Sequence, residues 1–302
     1  MTTTTQNRIL PATAAIVGYT ILIGFTDNFV RVIAVDTGLW QFHLIRSIMA
    51  VPLIALAALV LGLRLRPKRP LALAARSAVQ ATGIMIYFGC LGFLSVAQAA
   101  AGLFTAPIFV LLITRFAYGY PLGPVRIAAV ALGFVGVLLV LQPGVQTQLS
   151  WVSAVPVLAG AFYALGNIAT REWCAEETAE AMTLGFFIAL GLGGLIGVIA
   201  LAFWDPAVPP GMDGFILRGW VMPSSTFFYW TIVQAVGSIL GIGLMIKGYQ
   251  LAEASRVSII EYIILPVSAG WSFLLWGESL APSAFLGLGL IFIAGVLIAF
   301  RK

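Results

Sequence analysis

The sequence consists of long apolar runs separated by short breaks that contain proline, glycine, serine or charged residues. The runs do not alternate between apolar and polar residues as the strands of a membrane barrel do. A helix needs about 20 apolar residues to cross the hydrocarbon core of a bilayer, and the runs have about this length. The pattern predicts ten membrane-spanning helices, namely Pro11–Val35, Gly38–Leu63, Leu71–Phe93, Ala97–Phe116, Val125–Leu141, Val152–Thr170, Ala181–Phe203, Thr226–Gln250, Val257–Trp276 and Pro282–Phe300.

One part of the pattern is present twice. The stretch Tyr87–Val140 aligns with Ile246–Ala299, and Pro107 then falls on Pro266. Identities are frequent by chance in a chain rich in alanine, leucine and glycine, so the shared order of runs, breaks and proline is the stronger evidence. An interval of this length predicts a duplicated multi-helix half rather than a short solenoid repeat.

The duplication predicts two repeats of five helices each, residues 1–144 and 145–302. Because five is odd, the second repeat enters the membrane from the opposite side. This gives inverted-topology repeats, an arrangement used by many secondary transporters, with a central cavity at the interface between the repeats. We therefore predict an all-α membrane protein of ten helices in two inverted five-helix repeats around a central cavity.

Composition and charge agree with a chain embedded in a lipid bilayer. Charged residues make up 9% and hydrophobic residues 61% of the 302 residues, and the mean hydropathy is +1.05. The net charge of +5 does not indicate nucleic-acid binding, because the basic residues cluster at one end of the predicted helices, as in the loop 64–69. With both termini in the cytoplasm, only Arg31 and Arg218 lie outside, which follows the positive-inside rule. The two cysteines, Cys90 and Cys174, indicate neither a disulfide framework nor a metal site.

Polar residues within the predicted helices are the candidate functional residues, because burying them in lipid is costly. They form sets with helical spacing, such as Asp27 with Arg31 on one helix face and His43 with Arg46. The candidate substrate-binding residues are Asn28, His43, Tyr87, Gln98, Tyr163, Asn167, Gln234 and Ser238. The intramembrane charges are Asp27, Arg31, Arg46, Lys247 and Glu261.

Each of these residues also has a structural interpretation. Asp27, Arg31 and Arg46 are equally able to bridge helices inside the bundle. Lys247 lies near the inner boundary, where its side chain can reach the headgroups. The single histidine, His43, is either a proton relay or a hydrogen-bonded core residue. Glu261 aligns with Gly102 in the first repeat, so the two repeats differ at this position.

Pro107 and Pro266 each remove a helical hydrogen bond near the middle of a predicted helix. Bends at matched places in both repeats are candidate gating points, and static kinks that shape a cavity are the alternative.

Two segments resemble a known family. Residues 94–107 (LSVAQAAAGLFTAP) leading into 118–122 (YGYPL), and the second-repeat sequence Leu251–Val257, Leu265-Pro266 and 276–280 (WGESL), are similar to the EamA domain of the drug/metabolite transporter superfamily. The second repeat is the closer match, because the first has Tyr118-Gly119 where the family has an acidic pair. Among the members, the chain is most similar to the bacterial YddG-type exporters. This resemblance implies a ten-helix basket in the bacterial inner membrane that exports aromatic and other neutral amino acids.

We therefore predict a secondary transporter, functional as a monomer, that binds a small molecule such as an amino acid and requires no ATP, cofactor or metal. An exporter or permease for another metabolite or drug class is the first alternative. A membrane-embedded enzyme is less favoured, because a single histidine and scattered carboxylates do not form a catalytic pattern. A channel is less favoured because an inverted duplication suits alternating access.

Overall fold

The computed structural model describes residues 8–35, 37–91, 93–94, 96–141, 154–277 and 281–299. Within these ranges the regular secondary structure is entirely helical, which confirms the predicted all-α class. The helices are α1 (Ile9–Asp27), α2 (Val30–Ala34), α3 (Leu39–Leu61), α4 (Pro70–Cys90), α5 (Val96–Leu103), α6 (Ala106–Phe116), α7 (Pro124–Leu141), α8 (Val155–Glu172), α9 (Ala179–Trp204), α10 (Ser225–Leu251), α11 (Ala254–Ile260), α12 (Ile264–Trp276) and α13 (Pro282–Ala299).

These helices group into ten spans, one for each predicted apolar run. The first span is α1 with α2, the fourth is α5 with α6, and the ninth is α11 with α12. Seven spans are long and apolar enough to cross a bilayer, and Pro124–Val140 and Pro282–Leu297 are shorter apolar helices. The remaining span, α8, contains more polar residues, including Tyr163 and Asn167, and is enclosed by α4, α5 and α6. The described residues therefore have the architecture of a multi-pass membrane protein.

The ends of several helices follow from local sequence. Gly62 and Gly277 terminate α3 and α12 with positive φ angles of 66° and 69°, which glycine adopts without strain. Thr178 and Ser224 cap the first turns of α9 and α10, since their hydroxyls accept hydrogen bonds from the backbone NH groups of residues 181 and 227.

The first span contains a break that the sequence pattern did not predict. Helix α1 ends at Asp27 and α2 begins at Val30, so Asp27 and Arg31 belong to separate helices. The prediction that they share one helix face is wrong for this reason. The side-chain amide of Asn28, at the break, donates to the carbonyl of Gly24 at 2.6 Å and to that of Ser268 at 3.4 Å. The second of these bonds ties the break to α12 in the second half of the chain.

The fourth and ninth spans are broken at matched positions. In the fourth, Pro107 lies in the first turn of α6, after an interruption at residues 104–105. In the ninth, a 3₁₀ turn at Glu261–Ile263 separates α11 from α12, which contains Pro266 in its first turn. Proline is tolerated in a first turn because the NH group it lacks would have no helical partner there. A helix break therefore precedes each of the two prolines.

Helix packing relates the two halves of the chain. α1 packs against α10 and α4 against α8, so the first span meets the eighth and the third meets the sixth. α1 also contacts α11 and α12, as α8 contacts α5 and α6. The second span packs against the seventh, α3 on α9, and the fifth against the tenth, α7 on α13. If each span is replaced by the span five places further along or back in the chain, each of these principal pairings becomes another observed pairing or stays the same. The pairing of the first span with the eighth, for example, becomes that of the sixth with the third.

The two ends of the bundle differ in chemistry. One end, here called the basic face, contains the loop 64–69 and the starts of α7 and α11. The Glu177 carboxylate there accepts hydrogen bonds from the backbone NH groups of Lys68 and Arg69 at 3.0 and 2.6 Å. The guanidinium of Arg126 forms an ion pair with Glu253. These contacts join the first half of the chain to the second at the basic face.

At the opposite end, residues 205–224 connect α9 to α10 and lie over the start of α3. The side-chain amide of Gln41 donates to the carbonyl of Val221 at 2.7 Å and accepts from its NH group at 2.9 Å. The Trp40 indole donates to the carbonyl of Ile216 at 2.9 Å. This loop also joins the two halves, through the backbone rather than through ion pairs.

Candidate functional site

A cavity of about 120 Å³ lies between the two halves of the chain. Its wall includes residues from α1, α3, α4, α6, α8, α10 and α11. A volume of this size has room for on the order of ten water molecules. The cavity therefore has room for several water molecules and is the candidate site for a small ligand.

One polar group at the cavity, here called the arginine pole, consists of Asp27, Arg46 and Ser238 in the wall and of Gln234, which is buried behind them. The Gln234 amide oxygen accepts hydrogen bonds from Arg46 Nη1 at 3.1 Å and from Ser238 Oγ at 2.8 Å. Its amide nitrogen donates to Asp27 Oδ1 at 2.8 Å. Gln234 thus bridges a cation and an anion, and the arginine pole contains both signs of charge.

The arginine pole is supported from behind by aromatic residues and histidine. The Arg46 guanidinium lies 4.9 Å from the centre of the Phe42 ring and 5.8 Å from that of Phe187, within the range of cation–π attraction. His43 Nδ1 is 3.2 Å from Arg46 Nη2, so the histidine holds the guanidinium from the side away from the cavity. Arg46 Nε is buried and has no hydrogen-bond partner among the described residues.

A second polar group, here called the glutamate pole, consists of Tyr19, Tyr163, Tyr249 and Glu261. The Tyr163 hydroxyl donates to Glu261 Oε1 at 2.9 Å, and the Tyr249 hydroxyl donates to the other carboxylate oxygen. Tyr19 lies 3.3 Å from Tyr163, oxygen to oxygen. The ion pairs recorded for the described residues do not include Glu261. Phenols rather than cations therefore solvate this carboxylate.

Apolar and aromatic side chains line the cavity between the poles. Ile23 and Ile84 form part of this wall, together with Tyr87, Phe104 and Phe186. A mostly apolar pocket with a few polar groups that fix orientation is typical of small-molecule sites in proteins. The arrangement suits an elongated molecule with an apolar body and charged ends.

The structure places the predicted site residues in three groups. Tyr87, Tyr163 and Ser238 line the cavity, as do Asp27, Arg46, Pro107 and Glu261. Gln234 and His43 are buried directly behind Arg46, and Gln234 reaches the site through its hydrogen bonds. The remaining predicted residues do not line the cavity, apart from Gln98, whose side chain is not among those that the structure describes.

Among this last group, Asn28 belongs to the break in the first span. Asn167 is 1% exposed and buried outside the cavity wall. The Arg31 guanidinium lies 4.1 Å from the centre of the Trp276 ring. Lys247 is exposed on the surface of α10, as expected for a side chain that reaches the headgroups, and Pro266 does not line the cavity. Gln98 lies on α5, but its side chain is outside the described residues.

Sequence reasoning missed Tyr19, Gln80 and Ser258, which also line the cavity. A signal for Tyr19 was present, because Tyr19, Ile23 and Asp27 are spaced four residues apart and share one helix face. Gln80 likewise precedes Tyr87 by seven residues on α4. Ser258 is one of many small residues in the chain, and its position at the cavity follows only from the packing of α11.

On the basic face, the Tyr120 hydroxyl donates to the Glu172 carboxylate at 3.1 Å. Burial, followed by the negative charge of Glu172, raises the pKa of Tyr120. The phenol therefore remains a hydrogen-bond donor near neutral pH. Both cysteines are buried and free.

Comparison with known proteins identifies relatives of the chain. The riboflavin transporter of Rhizobium johnstonii is 28% identical over 220 residues, which cover 71% of this chain and 64% of that protein. The pseudopaline exporter of Pseudomonas aeruginosa is 23% identical over 229 residues, with 75% and 73% coverage. The match thus spans less than two thirds of the first relative's length.

One solved protein structure superimposes with a TM-score of 0.76 at 15% identity, covering 98% of this chain and 99% of that one, which shows a shared fold. Residues 10–142 match the model of the EamA-like transporter family. The family and these relatives are transporters rather than enzymes, in agreement with the prediction. Residues 10–142 therefore resemble an EamA-like transporter family domain, and the described helices are those of a multi-pass membrane protein.

Proposed function

We propose that the protein is a secondary transporter that exports neutral amino acids, aromatic ones included, across the bacterial inner membrane by alternating access. The observation that carries this proposal is the placement of Arg46 and Glu261 on the wall of one cavity. A zwitterionic amino acid has a carboxylate that matches Arg46, an ammonium group that matches Glu261, and a side chain that matches the wall between them.

The arginine pole suits a carboxylate for a specific reason. Guanidinium groups bind carboxylates through charge-assisted hydrogen bonds. Arg46 Nε has no partner among the described residues, and Ser238 lies on the cavity wall beside this group. Asp27 reduces the net positive charge of the arginine pole, so a substrate carboxylate would bind there weakly enough to be released.

Riboflavin is a second candidate substrate, because the Rhizobium relative is named a riboflavin transporter. The aromatic residues Tyr87, Phe104 and Phe186 on the cavity wall would suit a flat ring system. Riboflavin has no ammonium group to satisfy Glu261, however, and it is much larger than an amino acid. These two points favour the amino acid.

The packing of the helices supports two inverted repeats, residues 1–144 and 145–302. The principal helix pairings are preserved when each span is exchanged for the one five places away. The breaks beside Pro107 and Pro266 also correspond. A pseudo-twofold arrangement of this kind allows the two halves to rock around a shared site, and the matched breaks are natural places for that motion.

The distribution of basic residues supports an orientation with the basic face and both termini in the cytoplasm. The loop 64–69 contains four basic residues, and Arg126 and Arg256 lie at the same end of the bundle. Positive charge is retained on the cytoplasmic side of membrane proteins. The cavity is formed within one chain, which supports a functional monomer.

Counterflow in proteoliposomes tests the proposed function. Liposomes loaded with unlabelled L-tryptophan, L-phenylalanine, L-leucine or riboflavin are diluted into a trace of the labelled compound. A carrier is expected to take up label transiently above equilibrium when the correct compound is inside, whereas a channel only equilibrates it. If none of the amino acids drives counterflow and riboflavin does, the substrate is riboflavin rather than an amino acid.

A matched pair of variants on α10 connects the activity to the site. Gln234→Ala removes the bridge of the arginine pole, and counterflow is expected to be lost. Leu240→Ala changes a lipid-facing residue of the same helix, 55% exposed, and counterflow is expected to be retained. Wild-type exchange by purified, monodisperse Gln234→Ala would contradict the assignment of this pole.

A further inference from the structure

A second buried arginine lies outside the cavity wall, between α4, α8 and α9. Arg76 is on α4, about two turns from the start of that helix at the basic face, and it is fully buried. Its Nε donates to Thr170 Oγ1 on α8 at 2.9 Å, and its Nη1 donates to the Met182 carbonyl on α9 at 3.5 Å. Its Nη2 has no partner, and no carboxylate pairs with this guanidinium, among the described residues.

Two neighbours of Arg76 on α4 also have unused hydrogen-bonding atoms. Ser77 Oγ and Gln80 Oε1 are buried and have no partner within the described part of the chain. Buried polar atoms without partners cost free energy, and native proteins contain few of them. We call Arg76, Ser77, Gln80 and Thr170 the Arg76 group. This group has more hydrogen-bonding capacity than the contacts between its helices use.

The Arg76 group is continuous with the cavity. Gln80 lines the cavity and lies one turn from Arg76 along α4. On α8, Tyr163 lines the cavity, and Thr170 lies about two turns nearer to the basic face. Polar side chains thus follow the contact between α4 and α8 from the cavity toward the basic face.

Close packing shuts this path in the present conformation. A Cβ atom built on Gly166 of α8 would lie 3.1 Å from Gln80 Cα, and one built on Gly185 of α9 would lie 2.7 Å from Ser77 Oγ. α4 therefore lies directly against α8 and α9. Separation of α4 from these two helices would open the cavity toward the basic face and bring the Arg76 group to the cavity wall.

The Arg76 group corresponds to the arginine pole when each span is exchanged for the span five places away. The arginine pole belongs to α1, α3 and α10, the first, second and eighth spans, which become the sixth, seventh and third, namely α8, α9 and α4. Arg46 lies about two turns into α3, which starts beneath the loop 205–224, whereas Arg76 lies about two turns into α4, which starts at the basic face. The two arginines come from non-equivalent helices of the two sets, but they lie at similar depths from opposite ends of the bundle.

We propose that the Arg76 group is a second binding site for the substrate carboxylate, used when the cavity opens toward the cytoplasm. This inference rests on the proposed function and deepens it, because it names the residues that receive the substrate before export. In the present conformation Arg46 lies on the cavity wall and Arg76 is enclosed. When the two halves rock, the two arginines exchange these positions. Arg76 then donates charge-assisted hydrogen bonds to the carboxylate.

Exchange kinetics measured separately from each side of the membrane test this site. Inside-out and right-side-out vesicles are loaded with saturating unlabelled L-tryptophan, and initial uptake of labelled L-tryptophan is measured against its concentration in the medium. Uptake by vesicles without the protein is subtracted. In inside-out vesicles, Arg76→Gln is expected to raise the half-saturating concentration about 10- to 100-fold, because hydrogen bonds to a charged group are lost. In right-side-out vesicles it should not raise this value.

Arg115→Gln is the matched control, because it removes the same charge from an exposed residue of α6 at the basic face. This variant should leave both half-saturating concentrations unchanged. For Arg76→Gln, a rise on both sides, on the outer side alone or on neither side would overturn the inference and leave the carrier in place. Absence of exchange by the wild-type protein with every amino acid would instead overturn the proposed function.

A second measurement decides the question if Arg76→Gln does not fold. Ser77→Cys, in a chain whose native cysteines are replaced by serine, places a thiol in the Arg76 group. Anionic thiosulfonate reagents added to inside-out vesicles are expected to modify it faster than cationic ones, after each rate is divided by that for a free thiol. Saturating L-tryptophan should slow the anionic reaction. Lack of modification from this side, lack of protection or a preference for the cationic reagent would overturn the proposal.

Discussion

The two poles of the cavity differ in how their charge is balanced. The arginine pole contains an anion and a cation joined through the amide of Gln234, so its charge is satisfied within the protein. The glutamate pole contains one carboxylate held by two phenols. A balanced group stabilises the helices that contribute to it, whereas an unbalanced group leaves its charge for a ligand. The comparison predicts that substitutions at the two poles have different effects on stability.

The largest effect on stability is expected at the arginine pole. Arg46→Met leaves the half-buried Asp27 carboxylate without the cation that Gln234 links to it, and removal of one partner from a buried charged group costs about 3–5 kcal/mol. Adding Asp27→Asn should restore part of this loss, because the uncompensated charge is then gone. Thermal unfolding in detergent measures both variants. A single variant as stable as the wild type would show that this pole does not hold the helices together.

A smaller effect is expected from the phenols of the glutamate pole. Tyr249→Phe removes one hydrogen bond from a buried carboxylate, and bonds to charged groups contribute about 1.5–3 kcal/mol. Tyr262→Phe is the control, because the Tyr262 hydroxyl bonds to the carbonyl of Phe104 rather than to Glu261. Unfolding at alkaline pH should separate the two variants. Equal losses would mean that the Glu261 carboxylate gains nothing specific from Tyr249.

Gly102, the residue of the first half that aligns with Glu261, provides a further test of how the two halves differ. Gly102→Ala places a Cβ against the backbone and ring of Pro156, and overpacking of this kind costs about 1–3 kcal/mol. Gly289→Ala is the matched control in another helix, because no atom lies within 4 Å of a Cβ at that position. The control should be neutral or stabilising. Equal stability of the two variants would show that the fourth and sixth spans can separate at Gly102 without cost.

The smallest effect is expected for a carboxylate outside the membrane. Glu176→Ala breaks the ion pair with Lys68 on the basic face, where the side chains are 69% and 48% exposed. Exposed pairs of this kind contribute less than about 1 kcal/mol. Unfolding and counterflow should both stay close to the wild type. A large loss here would show that the differences between the poles arise from carboxylates in general rather than from their burial.

The spans and their breaks could be predicted from the sequence to different degrees. Ten apolar runs and two matched prolines are local features, and the structure contains a helix or helix pair for each run. The break after Asp27 was not visible, because residues 28–30 are compatible with a continuous helix and the contact with Ser268 lies far away in the chain.

The candidate site was less accessible to prediction, because its contacts join distant spans. Gln234 and Ser238 are four residues apart on α10, and the hydrogen bond that this spacing allows is present. Nothing in the local sequence indicates that Gln234 meets Arg46, or that Glu261 meets Tyr163 and Tyr249. These contacts depend on how α3, α8, α10 and α11 pack. Asn167 illustrates the converse, since a polar residue within a span need not line the cavity.

The central claim is that the cavity between the poles is where the substrate binds during transport. The most direct test is counterflow by Ser238→Trp, which fills the cavity with an indole ring, beside Leu240→Trp, which places the same ring in the lipid from the same helix. Ser238→Trp is expected to lose exchange of L-tryptophan, and Leu240→Trp to retain it, with both proteins monodisperse. Exchange at the wild-type rate by Ser238→Trp would contradict the claim.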